Sequence, residues 1–165
     1  MKILIISDTH RSNDNFNRVM DAEGPIDMLI HCGDIEGSEY FYSENAHCPV
    51  YMVAGNNDYF SPLGRELEFE VEGYRIFLTH GHNYYVAMGN ERIKQEARER
   101  GADIVIYGHI HRPVVDVEDD VIALNPGSLA YPRQEGHEPT YMIMTIDDHG
   151  DVDFEVKKVW TKNDR

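Results

Sequence analysis

Apolar residues fall in short, dense runs separated by polar turns, and each run predicts an element. Residues 2–7 form a β-branched run that reads as a buried first strand. After the polar stretch Ser12-Asn13-Asp14, the residues Phe16, Val19 and Met20 recur at helical spacing, which predicts a capped helix. Residues 26–31 give a second buried strand and residues 49–54 a third. Strands alternating with short helical segments predict βαβ units and a sheet that begins parallel. Residues 68–71 and 75–79 predict two strands around a hairpin-like turn at Glu72-Gly73. Residues 90–100 predict a polar helix ending at Gly101, the residue type that commonly follows a helix C-terminus. Residues 104–107 form another apolar strand, and residues 114–117, 121–124, 141–146 and 152–159 predict further strands with turns between them. The second half is therefore richer in antiparallel hairpins. The expected architecture is a layered α/β sandwich with a mixed sheet or two sheets. No Gly-x-Gly-x-x-Gly follows the first strand, which removes the main signal for a dinucleotide-binding fold.

Composition narrows the function. A chain of 165 residues is near the size of one domain, 1–165, and is expected to bury roughly 70% of its unfolded surface. The formal net charge is −15, from 30 acidic and 15 basic residues. Nonspecific DNA binding depends on neutralising phosphates with Lys and Arg, so no stable nucleic-acid complex is expected. A phosphate substrate is still admissible, because bound metal ions invert the local field. The N-terminal apolar run Ile3-Leu4-Ile5-Ile6 is too short for a signal peptide, and no run approaches the roughly 20 residues of a membrane span. Two cysteines, Cys32 and Cys48, make no disulfide framework and read as free thiols. A soluble cytoplasmic protein with no membrane partner is the expectation.

The polar residues of interest follow strands. Asp8 and His10 come after the first, Asp34 after the second and Asn56 after the third; His80, then His109 and His111, come after later ones. In open α/β sheets the carboxyl ends of the strands form the ligand crevice, so these groups can converge. Residues at i and i+2 of an extended chain project to one side, which would aim Asp8 with His10, and His109 with His111, at one site. Gly33, Gly55 and Gly108 precede three of these residues and let the backbone turn sharply beside an ion. Carboxylates, imidazoles and an amide oxygen suit Mn²⁺, Fe, Zn²⁺ or Co²⁺ better than a thiolate-selecting metal. Two such ions with a shared carboxylate would lie about 3.5–4 Å apart and clamp the attacking and leaving oxygens of a phosphoryl group.

Asp-x-His, Gly-Asp, Gly-Asn-x-Asp, a lone His and Gly-His-x-His, in that order, resemble the calcineurin-like metallophosphoesterase superfamily. Within it, the small size, Leu-Thr-His-Gly-His and Asn125-Pro126-Gly127-Ser128 are similar to the YfcE-type phosphodiesterases. The resemblance runs from Met1 to about Arg133; each motif alone is weak, and the five in order are specific. It implies an α/β/β/α sandwich with mixed sheets and a metal-dependent phosphodiesterase using two divalent ions, Mn²⁺ foremost, with Ni²⁺, Co²⁺, Zn²⁺ and Fe as alternatives. By that resemblance Asp8, His10 and His111 hold one ion, Asn56, His80 and His109 hold the other, and Asp34 bridges them. A bridging hydroxide would attack phosphorus in line, with Asp34, Asn56, Asn57 and His80 as the catalytic set. The substrate would be a small phosphodiester, and relatives leave room for a homo-oligomer.

Two departures stand out. Most of the superfamily carries His after the Asn of the third motif, where this chain has Asn57. Asn donates a hydrogen bond but delivers no proton, so general-acid catalysis worth roughly 10²–10⁴-fold would be missing and good leaving groups favoured. Arg11 stands where many relatives carry Gly, and either forks onto a substrate phosphate or lies in solvent. A phosphomonoesterase or nucleotidase, and a silent metal-binding scaffold, are the alternatives. His82 reads as a residue supporting the ligands from behind, with replacement of His80 as ligand the alternative, and Asp58 is expected to orient the Asn56 loop through backbone hydrogen bonds. His31 reads as a core residue or one that supports the ligands from strand two, and His47, His137 and His149 read as exposed. Asn125 to Ser128 form either a turn beside the site or a structural one. The Tyr-rich stretches at residues 40–42 and 84–85 read as packing or a subunit interface, with stacking on a base or aryl leaving group as the alternative.

Overall fold

The computed structural model describes residues 1–160. Its elements run β1 (Lys2–Ile6), α1 (Asp14–Glu23), β2 (Met28–His31), α2 (Glu39–Asn45), β3 (Val50–Met52), β4 (Glu66–Val71) and β5 (Tyr74–Thr79). Two short 3₁₀ turns, His82–Tyr84 and Val86–Met88, lead into α3 (Glu91–Glu99), followed by β6 (Ile104–Ile106), β7 (Pro113–Val117), β8 (Ile122–Pro126), β9 (Thr140–Ile146) and β10 (Val152–Lys158). The strands form two mixed sheets of five, ordered β10-β9-β1-β2-β3 and β4-β5-β6-β8-β7. In the first, β1, β2 and β3 are parallel and β9 and β10 antiparallel; in the second, β5, β6 and β8 are parallel, with β4 and β7 antiparallel at the edges.

The unbroken apolar runs resolve into two faces. Ile3, Ile5, Met28 and Ile30 point inward and meet Ile76, Leu78, Ile104, Ile106 and Leu124 of the other sheet. Leu4, Ile6 and Leu29 point outward and are covered by Phe16 and Val19 of α1 and Tyr42 of α2. Phe77, Val105 and Ala123 point outward from the second sheet under Ile93 and Ala97 of α3. Each central strand is thus buried on both faces, which is why its alternation is hidden behind continuous hydrophobicity. The four layers are helix, sheet, sheet, helix, as the family resemblance implied.

Two local expectations, the Asn13 cap and the burial of β3, need correction, while the first Tyr-rich stretch packs as expected. Asn13 stands at the N-terminus of α1 but makes no capping bond; its side chain instead donates to Ser38 and accepts from the Tyr42 hydroxyl. The stretch containing Tyr40-Phe41-Tyr42 is helix α2, with Tyr42 fully buried and Tyr40 exposed. Phe16, Phe41 and Tyr42 pack edge to face at 5.1–5.8 Å, which fixes α2 against α1 without a long apolar stripe. The β3 strand is half-buried rather than buried. No helix among the described residues is long and apolar enough to cross a membrane.

Candidate metal centre

Loops leaving β1, β2, β3, β5 and β6 converge, and all seven expected ligands meet there. One ligand atom each from Asp8, His10, Asp34 and His111 lies within 4.8 Å of the others. His111 Nε2 is 3.2 Å from Asp8 Oδ1 and 3.2 Å from His10 Nε2. His80 Nε2 is 3.4 Å from Asp34 Oδ2 and 3.7 Å from Asp8 Oδ1. His109 Nδ1 is 3.1 Å from Asn56 Oδ1, and its ring lies 5.2 Å from that of His80. Asp34 stands between the two groups, 3.8 Å from His10 Nε2 on one side and 3.4 Å from His80 Nε2 on the other.

The route to convergence differs from the extended-chain expectation. Asp8, His10, Asp34, His109 and His111 all have positive φ, between 43° and 73°. None of these residues is extended; each sits in the left-handed region, at a cost of order 1–3 kcal/mol apiece that the surrounding structure must hold. The bracing is visible. Asp8 and His10 donate their N–H groups to Gly33 and Asp34 carbonyls at 3.0 Å. Ser128 Oγ donates to the Asp8 carbonyl at 2.8 Å, and Asn125 Nδ2 donates to the Gly108 carbonyl at 2.9 Å. The Asn125–Ser128 turn is therefore a buried brace beneath the ligand loops. Asp58 accepts N–H bonds from Asp34, Ile35, Glu36 and Gly55 at 2.6–3.1 Å, tying the loop after β2 to the loop after β3.

The two loops touch through glycines. A Cβ on Gly33 would lie 2.7 Å from His80 Nδ1 and 2.8 Å from the Gly55 nitrogen, and one on Gly55 would collide with Asp34 Oδ1. Gly55→Ala is expected to displace Asp34, lowering Tm by about 3–10 °C through overpacking and weakening Mn²⁺ binding. A variant that melts and binds Mn²⁺ like the parent would contradict this packing.

Histidine orientation is fixed from behind. His80 Nδ1 is 2.7 Å from the Cys32 carbonyl and His111 Nδ1 is 2.7 Å from the Tyr131 carbonyl, so each donates outward and aims Nε2 at the site. His10 Nδ1 faces Glu36 at 3.4 Å. Asp8 Oδ2 accepts from the His109 N–H at 3.0 Å and from the Ser7 hydroxyl, while Asp8 Oδ1 and His80 Nε2 are buried with no hydrogen-bond partner. A carboxylate oxygen and an imidazole nitrogen left facing one enclosed space fit a borderline divalent cation.

Charge tells the same story. Burial alone would raise the carboxyls of Asp8 and Asp34, yet His80 and, for Asp34, the Asn57 N–H donors hold both below the usual range. Burial alone would lower His80, but Asp8 and Asp34 outweigh it and push it up to about 9. The two carboxylates demand a cation, and in the metal-free protein the His80 proton supplies it. A histidine raised in the folded state contributes stability that is complete below its ordinary value near 6.5 and lost as pH rises through about 9. A metal ion taken up by His80 Nε2 would displace that proton, and Mn²⁺ affinity is then expected to rise toward pH 9 by up to about tenfold per unit. Affinity flat from pH 6.5 to 9, measured by competition titration, would contradict it.

The remaining histidines and loop residues separate cleanly. His31 is fully buried, bonded to Thr9 and to the Gly33 N–H, and burial pushes it down to about 3. His82 bonds Arg65 through Nε2 at 3.0 Å, its ring lies 5.5 Å from that of His80 and 6.1 Å from that of His109, and its buried Nδ1 has no partner. His47, His137 and His149 are exposed. Asn57 gives both its backbone N–H and its side-chain amide to Asp34, each at 2.9 Å. Arg11 is 76% exposed, with Nε 3.7 Å from Glu36. Sequence reasoning passed over Glu36 behind His10 and Tyr131, whose ring lies 5.5 Å from that of His10; neither stands in a motif.

Comparison with known proteins shows the family and the fold. Residues 1–149 match the calcineurin-like phosphoesterase superfamily domain. The chain is 35% identical over 149 residues to a probable metallophosphoesterase of Mycoplasma pneumoniae, covering 88% of this chain and 89% of that one. It is 28% identical over 173 aligned positions to the phosphodiesterase YfcE of Escherichia coli, covering 89% of each. A crystal structure of a predicted phosphoesterase from Streptococcus pneumoniae superposes with TM-score 0.79 at 29% identity, over 98% of this chain and 93% of that one. Zinc-bound Vps29 from Entamoeba histolytica shares the fold, with TM-score 0.75 at 24% identity over 96% and 99% of the two chains. The chain belongs to the calcineurin-like phosphoesterase superfamily.

Proposed function

We propose that the protein is a metal-dependent phosphodiesterase acting on small phosphodiesters. In this reading Asp8, His10 and His111 hold one divalent ion, Asn56, His80 and His109 hold a second, and Asp34 serves both. The observation that carries it is the pair of buried, unpartnered atoms, Asp8 Oδ1 and His80 Nε2, 3.7 Å apart among seven oxygen and nitrogen donors. A donor set without thiolate suits Mn²⁺, Fe, Zn²⁺ or Co²⁺, and the resemblance to the YfcE-type enzymes puts Mn²⁺ first among them. The ions would supply Lewis acidity, a bridging water acidified to hydroxide near neutral pH, and neutralisation of the phosphoryl oxygens.

The chain's own residues supply position and exclude alternatives. Asn57 fixes both oxygens of Asp34 and has no proton to give a departing alkoxide. A leaving group must then depart as its anion, which favours activated esters. The name of the YfcE relative supports the diester over the monoester. A net charge of −15 disfavours long nucleic acids, whose phosphates the surface would repel. The test is hydrolysis of an aryl phosphodiester and its monoester by chelator-stripped protein with Mn²⁺, Ni²⁺, Co²⁺, Zn²⁺ or Mg²⁺ restored separately. Metal-restored activity that favours the diester is expected. Faster monoester hydrolysis would make it a phosphatase, and folded, metal-loaded protein without turnover would make it a binding scaffold.

A further inference from the structure

Acidic residues outnumber basic ones two to one, 30 against 15, and several arginines are taken up by carboxylates. Arg11 pairs with Glu36, Arg98 with Glu118 and Asp120, and Arg100 with Glu66, Glu68 and Glu96. Arg112 and Arg133 have no carboxylate partner among the described residues, and both are exposed. They line one cavity of about 310 Å³ together with His109. Arg112 directly follows His111, and the Arg133 N–H donates to the His111 carbonyl at 2.9 Å. Both guanidinium stems are thus rooted in the backbone that carries the metal-facing histidines. The cavity at Asn57 has the opposite character: it is lined by Glu36, Glu39 and Arg11, with the rings of Tyr59 and Phe60. There Arg11 is already countered by Glu36, and an added anion would meet Glu39 as well.

We infer that Arg112 and Arg133 form an anion subsite beside His109 that binds a second phosphoryl group, so that the preferred substrate is a phosphodiester carrying phosphate on one ester substituent. The inference rests on the phosphodiesterase reading and narrows its substrate class. A phosphate monoester carries about −1.5 to −2 charge at pH 7, which two guanidinium groups match. Their planar forks suit phosphate oxygens better than ammonium groups do. The asymmetry between the two cavities also fixes direction: the phosphorylated substituent lies toward His109 and the uncharged one toward Asn57.

The test uses two p-nitrophenyl phosphodiesters of one nucleoside, with and without phosphate on the remaining sugar hydroxyl. Both are offered to Mn²⁺-loaded parent protein, to Arg112→Ala/Arg133→Ala and to Arg112→Lys/Arg133→Lys. The parent is expected to favour the phosphorylated diester about tenfold in kcat/KM, carried by KM. The alanine double variant should lose that preference, and the lysine variant should keep part of it. An equal preference in parent and alanine variant, or a parent that favours the unphosphorylated diester, would overturn the subsite. If neither diester is hydrolysed, the phosphodiesterase reading fails and binding decides the subsite separately. Calorimetric affinity for the nucleoside bisphosphate about tenfold above that for the monophosphate, lost in the alanine variant, would support it; equal affinities would overturn it.

Discussion

Asp34→Asn is expected to reduce metal-supported phosphodiester hydrolysis on the order of 10³-fold, while the metal-free protein keeps its fold. Asp34 lies between the two donor groups, 3.8 Å from His10 Nε2 and 3.4 Å from His80 Nε2. The substitution removes one of the two carboxylates that a cation must balance, yet it changes no volume. Its bonds to Asn57 survive as well: the Asn57 N–H keeps an oxygen to donate to, and rotating the Asn57 amide lets it accept from the new Asn. Binding at about a hundred times Kd stabilises a protein by about 2.7 kcal/mol, so Mn²⁺ should raise the parent's Tm by roughly 5–10 °C. The variant should show almost none of that rise. Melting with and without Mn²⁺, alongside turnover, checks both halves. A variant with parental turnover, or with the full Mn²⁺ shift, would remove Asp34 from the centre.

Asp58→Ala is expected to have the largest effect on stability, about 3–5 kcal/mol, or a Tm lower by about 10 °C. Its carboxylate is buried and accepts four backbone N–H groups, from Asp34, Ile35, Glu36 and Gly55. Alanine leaves those donors without a partner where water enters poorly, and it unties the loop bearing Asp34 from the loop bearing Asn56. Mn²⁺ affinity should fall in step, although Asp58 is not among the expected ligands. A Tm within 2 °C of the parent would show that the four bonds are replaced by others.

Much of this was legible in the chain. The strands announce themselves because each central one is buried on both faces, so Ile3 to Ile6 and Ile104 to Ile106 read as short apolar runs. Asp8, Asp34, Asn56, His80, His109 and His111 stand out because parallel strands deliver their carboxyl ends to one place. Other features depend on contacts that no local pattern records. The left-handed conformations are held from distant parts of the chain: Asp8 by Gly33 and Ser128, His10 by Asp34, Asp34 by Asp58, His109 by Asp8 and His111 by Arg133. Helix α2 escaped because only Tyr42 of its seven residues is buried, so it has no apolar stripe to read. Arg112 and Arg133 lie 21 positions apart and share a cavity only after the β8 strand returns the chain to the site.

Anomalous scattering at the manganese edge, from crystals grown with Mn²⁺, measures the pair of ions directly. Two peaks about 3.5–4 Å apart are expected. One should contact Asp8, His10 and His111, the other Asn56, His80 and His109, and both should touch Asp34. A single peak, or two peaks that leave Asp34 or His80 uncoordinated, would contradict the two-ion centre.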